Sequence, residues 1–102
     1  MSRKHKSVEA ARNTLVQSRK ALALLESTLN EDFNRAVDLL RMRAGRIVIT
    51  GLGKSAFIGM KMAATFSSLG ESAIFVHPVD AFHGDLGVIG NDDALIALSF
   101  SG

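Results

Sequence analysis

The sequence predicts an α/β fold in which two N-terminal helices precede a parallel sheet. The hydrophobic period changes from helical to strand-like near residue 46, and three short apolar runs then alternate with helical or irregular segments. A length of 102 residues provides room for one small domain, and an apolar share of 47% excludes wholesale disorder. The absence of cysteine excludes a disulfide scaffold and any thiolate metal site.

Two helices are predicted before residue 46. The first spans 7–30, because large apolar residues recur on one stripe at spacings of seven, seven, three and four. These residues are Val8, Leu15, Leu22, Leu25 and Leu29. Asn30 is expected to cap the second helix, whose first turn holds Glu31 and Asp32.

The β-branched run at 46–50 predicts a strand that is buried on both faces. The other predicted elements are a Gly-rich turn at 51–55, a helix from 55 to 69 stopped by Gly70, strands at 73–76 and 94–98, and an irregular stretch at 79–88 with one helical turn. No helix follows to cover the third strand, so either the rest of the domain is missing or another chain covers the open side. We expect the domain to be truncated there. The expected organisation is a helical segment, 1–45, and half of an α/β domain, 46–102.

Charge is distributed unevenly along the chain. Residues 1–46 hold ten basic and five acidic residues, whereas 47–102 hold two basic and five acidic ones. A basic half can indicate nucleic-acid binding, but the absence of Tyr and Trp leaves little for base stacking. We therefore expect a solvated helix face and no nucleic-acid partner. No apolar run approaches a membrane span and no signal peptide is evident, so a cytoplasmic protein without a membrane partner is expected.

The turn from Gly51 to Ser55 follows a strand and opens a helix. Backbone N–H groups at such a helix start, close to Gly51 and Gly53, are typical of an anion site. Lys54 adds a positive charge, and the Ser55 hydroxyl can donate to a phosphate oxygen. The alternative is an ordinary tight turn in which Ser55 caps the helix.

Two named nucleotide motifs fit this turn poorly. A Walker A loop would need its first glycine at the position of Val48, inside the strand. A dinucleotide fingerprint fits Gly51, Gly53 and Ala56 loosely, but the second strand ends in His77 and Pro78 rather than in an acid. No nucleotide cofactor is therefore expected.

A second polar turn, with Ser99, Ser101 and Gly102, follows the third strand. Because parallel strands end at one edge of a sheet, we expect both turns to share a phosphate ligand. The segment 77–85 adds two His and two Asp near that edge, where an imidazole can move protons at neutral pH. Its spacing matches no strong metal signature, so no metal is expected.

Several stretches together resemble the start of a sugar isomerase (SIS) domain. They are 46–55, 62–66, 75–78, 83–87, and 96–99 before Ser101 and Gly102. Within that family, His83 to Gly87 together with Gly53, Lys54 and Ser55 resembles the arabinose-5-phosphate isomerase branch. Three positions depart from the usual pattern of the branch, namely Phe57, Asp80 and Phe100.

The resemblance implies a flavodoxin-like three-layer sandwich and an aldose–ketose isomerase that interconverts ribulose 5-phosphate and arabinose 5-phosphate through an enediol. It implies a phosphate pocket of Ser55, Ser99 and Ser101, and Lys54 and His83 in the catalytic site. It also implies a homo-oligomer, a tetramer in the family, that serves lipopolysaccharide precursor (Kdo) synthesis without a cofactor. Two alternatives stay open: a non-catalytic phosphosugar-binding module, and an inactive fragment.

Overall fold

Seven helices and strands follow one another in the computed structural model, which describes residues 3–82, 87 and 89–100. They are α1 (Arg3–Thr28), α2 (Glu31–Met42), β1 (Ile47–Gly51), α3 (Lys54–Ser68), β2 (Ala73–Phe75), α4 (Pro78–Phe82) and β3 (Ala94–Leu98). This order confirms the predicted α/β class. The first helix begins at Arg3 rather than at residue 7, because the Arg and Lys residues between positions 3 and 6 are good helix formers. The helical turn expected within 79–88 is α4.

The chain divides into two compact units, Met1–Arg35 and Ala36–Gly102. The first contains α1, and the boundary between the units falls within α2. The backbone N–H of Asp32 donates to Asn30 Oδ1 over 2.8 Å, which confirms Asn30 as the cap of α2. The division at residues 45 and 46 stays a prediction.

The three strands form one parallel sheet in the order β2-β1-β3. β1 lies in the centre, where Val48 pairs with Ile74 on one side and with Leu95 on the other. Ile47, Val48 and Ile49 are at most 1% exposed. Successive strand residues point to opposite faces, so this burial confirms that β1 is covered on both of them.

α3 packs against the sheet through small residues. Its buried positions are Ala56, Gly59 and Ala63, spaced so that they share one face of the helix. Ala63 joins Ile47 and Ile49 in the buried core cluster. The helix ends in a Schellman arrangement, in which Gly70 adopts a φ of 90° and the Glu71 N–H donates to Phe66 O over 2.9 Å. Gly70 therefore stops the helix as predicted.

The strand order creates a topological switch point. From β1 the chain crosses to β2 on one side, and it then returns past β1 to β3 on the other. This order matches the first three strands of a flavodoxin-like sheet, in which ligands bind at the carboxyl ends of β1 and β3. The fold thus positions the turns after β1 and β3 side by side. Among the described residues, no helix has the length and apolarity that crossing a membrane requires.

Candidate functional site

A cleft of about 390 Å³ lies at the carboxyl ends of β1 and β3. The turn after each of these two strands contributes to it, together with the start of α4. Its lining residues are Thr50, Gly51, Leu52, Ser55, Pro78, Ala97, Leu98, Ser99 and Phe100. The structure therefore brings the two predicted polar turns together at one place, at the switch point of the sheet.

Two glycines shape the turn between β1 and α3 for different reasons. A Cβ on Gly51 would lie 3.1 Å from the Ser55 carbonyl oxygen and 3.3 Å from Leu98 O, so the helix start, β1 and β3 are packed tightly there. Gly53 has open space around it but adopts a φ of 59° with a ψ of −131°. That conformation is essentially restricted to glycine. The glycines thus hold the backbone of the turn close to the cleft.

Ser55 lines the cleft one residue after the first residue of α3. Gly53 is the N-cap of this helix, and no side chain hydrogen-bonds to the cap. The alternative interpretation, that the Ser55 hydroxyl serves as the helix cap, is therefore wrong. The hydroxyl lies instead beside the positive end of the α3 dipole, an environment that favours an anion.

Lys54 is the first residue of α3 and is exposed. It does not line the cleft, and neither does Gly53. Its position next to Ser55 leaves a long, flexible cationic side chain at the edge of the cleft. Ser99 does line the cleft, directly after β3. The predicted site residues His83, Ser101 and Gly102 lie outside the described residues.

Thr50 also lines the cleft, although no sequence motif marks it as a site residue. Its Oγ1 atom is buried and, among the described residues, has no hydrogen-bond partner. Buried polar groups are usually satisfied, and an orphaned hydroxyl costs free energy. The β-branched character of Thr50 identified it only as a strand residue. The burial of its hydroxyl without a partner follows from the position of β1 in the sheet.

His77 has a local structural role. Its Nδ1 accepts a hydrogen bond of 3.2 Å from the Val79 N–H, and its carbonyl oxygen accepts one of 3.1 Å from Ala81 N–H. The imidazole therefore caps the start of α4, as a hydrogen-bonded loop residue would. Within the described part of the chain, no group of three or more His, Cys, Asp or Glu side chains could hold a metal.

Two larger grooves lie elsewhere in the second unit. One, of about 650 Å³, is lined by the end of α2 and by residues 91–96, at the amino ends of the strands. The other, of about 480 Å³, follows the exposed face of α3 from Phe57 to Leu69. Ligands of open parallel sheets bind at the carboxyl ends of the strands, so the smaller cleft is the candidate site.

At the amino ends, Asp93 joins the turn before β3 to the residue before β1. Its carboxylate accepts hydrogen bonds from the Gly90 N–H over 2.8 Å and from the Arg46 N–H over 2.7 Å. Together with the nearby Arg46 guanidinium, these bonds hold the pKa of Asp93 below its usual value, against the smaller opposing effect of desolvation. This cluster stabilises the sheet at the edge opposite the cleft.

Comparison with known proteins places this geometry in a family. The model of the SIS domain matches residues 41–102. The chain is 47% identical over 94 residues to arabinose 5-phosphate isomerase KdsD of Yersinia pestis, covering 92% of this chain and 29% of that protein. It is 42% identical over 102 residues to KdsD of Pseudomonas aeruginosa, covering 100% of this chain and 31% of that protein.

A solved structure from Escherichia coli CFT073, in complex with arabinose 5-phosphate, is similar with a TM-score of 0.87 and 32% identity. The match covers 97% of this chain and 52% of that one. The chain thus spans about 30% of the length of these curated relatives and about half of this solved structure. The sequence match over residues 41–102 and the shared sheet show that the chain belongs to the SIS domain family.

Proposed function

We propose that this chain provides the phosphate-binding half of a phosphosugar aldose–ketose isomerase, which interconverts ribulose 5-phosphate and arabinose 5-phosphate. The observation that carries the proposal is the cleft at the start of α3, which Ser55 and Ser99 both line. The names of the relatives, and the arabinose 5-phosphate bound by the similar solved structure, support arabinose 5-phosphate as the sugar phosphate.

The cleft would hold the non-reacting end of the substrate. Hydroxyls of Ser55, Ser99 and Ser101, with the backbone N–H groups near Gly51, Gly53 and Gly102, would donate to the phosphate oxygens. Binding energy from this end positions the carbonyl and the neighbouring carbon, which lowers the entropic part of the barrier. The phosphate clamp is therefore a condition for turnover as well as for affinity.

The chemistry at the other end is a proton transfer. A base removes the proton from the carbon next to the carbonyl, an enediol forms, and the proton returns to the adjacent carbon. Lys54 would stabilise the negative charge that develops on the substrate oxygens, and His83 would move a proton or hold a sugar hydroxyl. Neither residue is assigned as the base.

The same proposal covers the assembly, the location and the pathway of the protein. The protein would act as a homo-oligomer, a tetramer by family resemblance, without a nucleic-acid or membrane partner. It would act in the cytoplasm, where charged sugar phosphates are retained because they do not cross the hydrocarbon core of a membrane. Its product would feed the synthesis of a lipopolysaccharide precursor, Kdo.

One observation favours a second candidate, a phosphosugar-binding module without catalysis. Among the described residues, the side chains that line the cleft include hydroxyls but no titratable group. A sensor needs only the phosphate clamp, whereas an isomerase also needs an acid–base group. Turnover distinguishes the two candidates.

Amide-resolved NMR titration of the chain with arabinose 5-phosphate tests the clamp. We expect selective shifts at Gly51, Gly53, Ser55 and Ser99, none with arabinose, and smaller ones with inorganic phosphate. A dispersed spectrum that does not respond to arabinose 5-phosphate would contradict the proposed ligand. Conversion of ribulose 5-phosphate, followed in a protein that carries these residues within the full length of its relatives, tests catalysis. Binding without conversion would favour the sensor.

A further inference from the structure

α1 carries an apolar stripe that the proposed substrate site does not use. Val8, Leu15 and Leu22 are 49%, 69% and 66% exposed, and Leu25 is 59% exposed. Helices in proteins gain most of their stability by burying an apolar face. Large apolar side chains grouped on one exposed face therefore indicate an interaction surface.

The spacing of the stripe identifies the kind of partner. Val8, Leu15, Leu22 and Leu29 lie seven residues apart, and Leu29 directly follows the helix. The positions three residues after the first three of these hold Ala11, Ser18 and Leu25. The first positions of this seven-residue repeat are all apolar, and the fourth positions are small or apolar. Such a repeat keeps one narrow seam facing another helix along its whole length. A helix that packs on a sheet needs a wider apolar face instead.

The charges beside the seam determine which orientation a second copy of α1 would take. On one flank, the positions next to the seam hold Arg12, Arg19 and Glu26. The other flank is uncharged, and its residues are Ser7, Thr14, Ala21 and Thr28. In a parallel pair, each charged flank meets the uncharged flank of the other helix, so no ion pair forms.

In an antiparallel pair the charged flanks of the two helices meet each other in reverse order. With the seam from Val8 to Leu29 in register, Glu26 of one copy lies beside Arg12 of the other, and the symmetric pair forms as well. These two ion pairs outweigh the single contact at the two-fold axis, where Arg19 meets its own copy. Charge complementarity therefore favours a second copy of this chain in the antiparallel orientation.

We propose that two copies of this chain associate through an antiparallel pair of α1 helices, with the stripe from Val8 to Leu29 as the seam. The proposal rests on the self-association proposed above and names the surface responsible for it. It does not depend on the isomerase activity, because it uses none of the residues at the cleft.

Light scattering combined with size exclusion measures the association in the full chain. We expect a mass of at least twice the 10.9 kDa of a single chain. The double variant Leu15→Ser with Leu22→Ser should reduce the mass at least twofold. Leu24→Ser is the matched control, since Leu24 is 68% exposed but lies off the stripe, and this variant should keep the unmodified mass.

Charge reversal tests the seam without removing its apolar residues, so that misfolding cannot imitate the effect. Glu26→Arg should raise the dissociation constant at least tenfold, because it places like charges together. Adding Arg12→Glu and Arg19→Glu to that variant should restore the original value. A failure of the triple variant to recover would overturn the antiparallel pairing.

The orientation can also be measured directly, because the chain contains no cysteine. A nitroxide attached at Glu9→Cys, near the start of α1, should lie more than about 25 Å from its copy in an antiparallel pair, and much closer in a parallel one. A monomeric unmodified chain would overturn self-association itself. An oligomer that survives in the double Leu variant would overturn only the surface proposed here.

Discussion

Gly51 and Leu98 are paired neighbours at the carboxyl ends of β1 and β3. The chain separates them by almost half its length, yet the Leu98 carbonyl would lie 3.3 Å from a Cβ placed on Gly51. Because each strand ends at this pair, the turns that follow begin side by side. This pairing is the reason that Ser55 and Ser99 line one cleft.

Removing the Ser55 hydroxyl should weaken substrate binding. In Ser55→Ala, one charge-assisted hydrogen bond to phosphate is lost, at a cost of about 1–3 kcal/mol, or about 5- to 150-fold in the dissociation constant for arabinose 5-phosphate. Calorimetric titration measures it. Ser68→Ala is the control, since that hydroxyl bonds to Thr65 O at the other end of α3 and should not affect binding. An affinity unchanged in Ser55→Ala would place the phosphate elsewhere.

Replacing Lys54 should slow turnover and leave the fold intact. Loss of a cation that stabilises developing oxyanion charge lowers kcat by about 100- to 1,000-fold in comparable sites. The measurement is steady-state isomerisation in a protein that carries Lys54→Ala within the full length of its relatives. Lys61→Ala provides the comparison, because Lys61 lines a different groove on the same helix. Equal kinetics for the two variants would remove Lys54 from the mechanism.

The orphaned hydroxyl of Thr50 should affect stability and binding in opposite directions. Thr50→Val keeps the shape of the side chain but removes a buried group that lacks a partner in the described structure. We expect the free energy of unfolding to rise by about 1 kcal/mol, and the affinity for arabinose 5-phosphate to fall. Chemical denaturation and titration measure the two effects. Thr65→Val, at an exposed position of α3, is the matched control. A destabilised Thr50→Val chain would show that its hydroxyl has a partner.

Asp93 should contribute stability that depends on pH. Hydrogen bonds from Gly90 and Arg46 hold its pKa below the unfolded value of about 3.9. Its contribution is therefore complete above that unfolded value, and it decreases as the pH falls through the lower folded value. Asp93→Asn should lower the free energy of unfolding at pH 7, and the difference from the unmodified chain should shrink below about pH 4.

Urea denaturation at several pH values measures this difference. Asp92→Asn serves as the control, because the Asp92 carboxylate accepts neither of those two hydrogen bonds. A difference between the unmodified chain and Asp93→Asn that stays constant from pH 7 to pH 3 would show that the Asp93 carboxylate is not stabilised as an anion.

The local elements and the family could both be predicted from the order of the amino acids alone. Periodicity located α1 and the buried run of β1, because helices and strands place side chains at different intervals. Glycine at positions 53 and 70 marks the places where the backbone adopts a positive φ, since few other residues adopt such an angle. Ser55 and Ser99 were identified from the turns that hold them and from the family resemblance.

Which of these residues meet depends on how the strands pair in the folded chain. The strand order β2-β1-β3 places the turn after β1 beside the turn after β3, and no local pattern encodes that pairing. Likewise, the hydroxyl of Thr50 became a candidate only when the neighbouring strands buried it. Short-range sequence signals reflect backbone preferences within one element, whereas a cleft depends on contacts between residues distant in the chain.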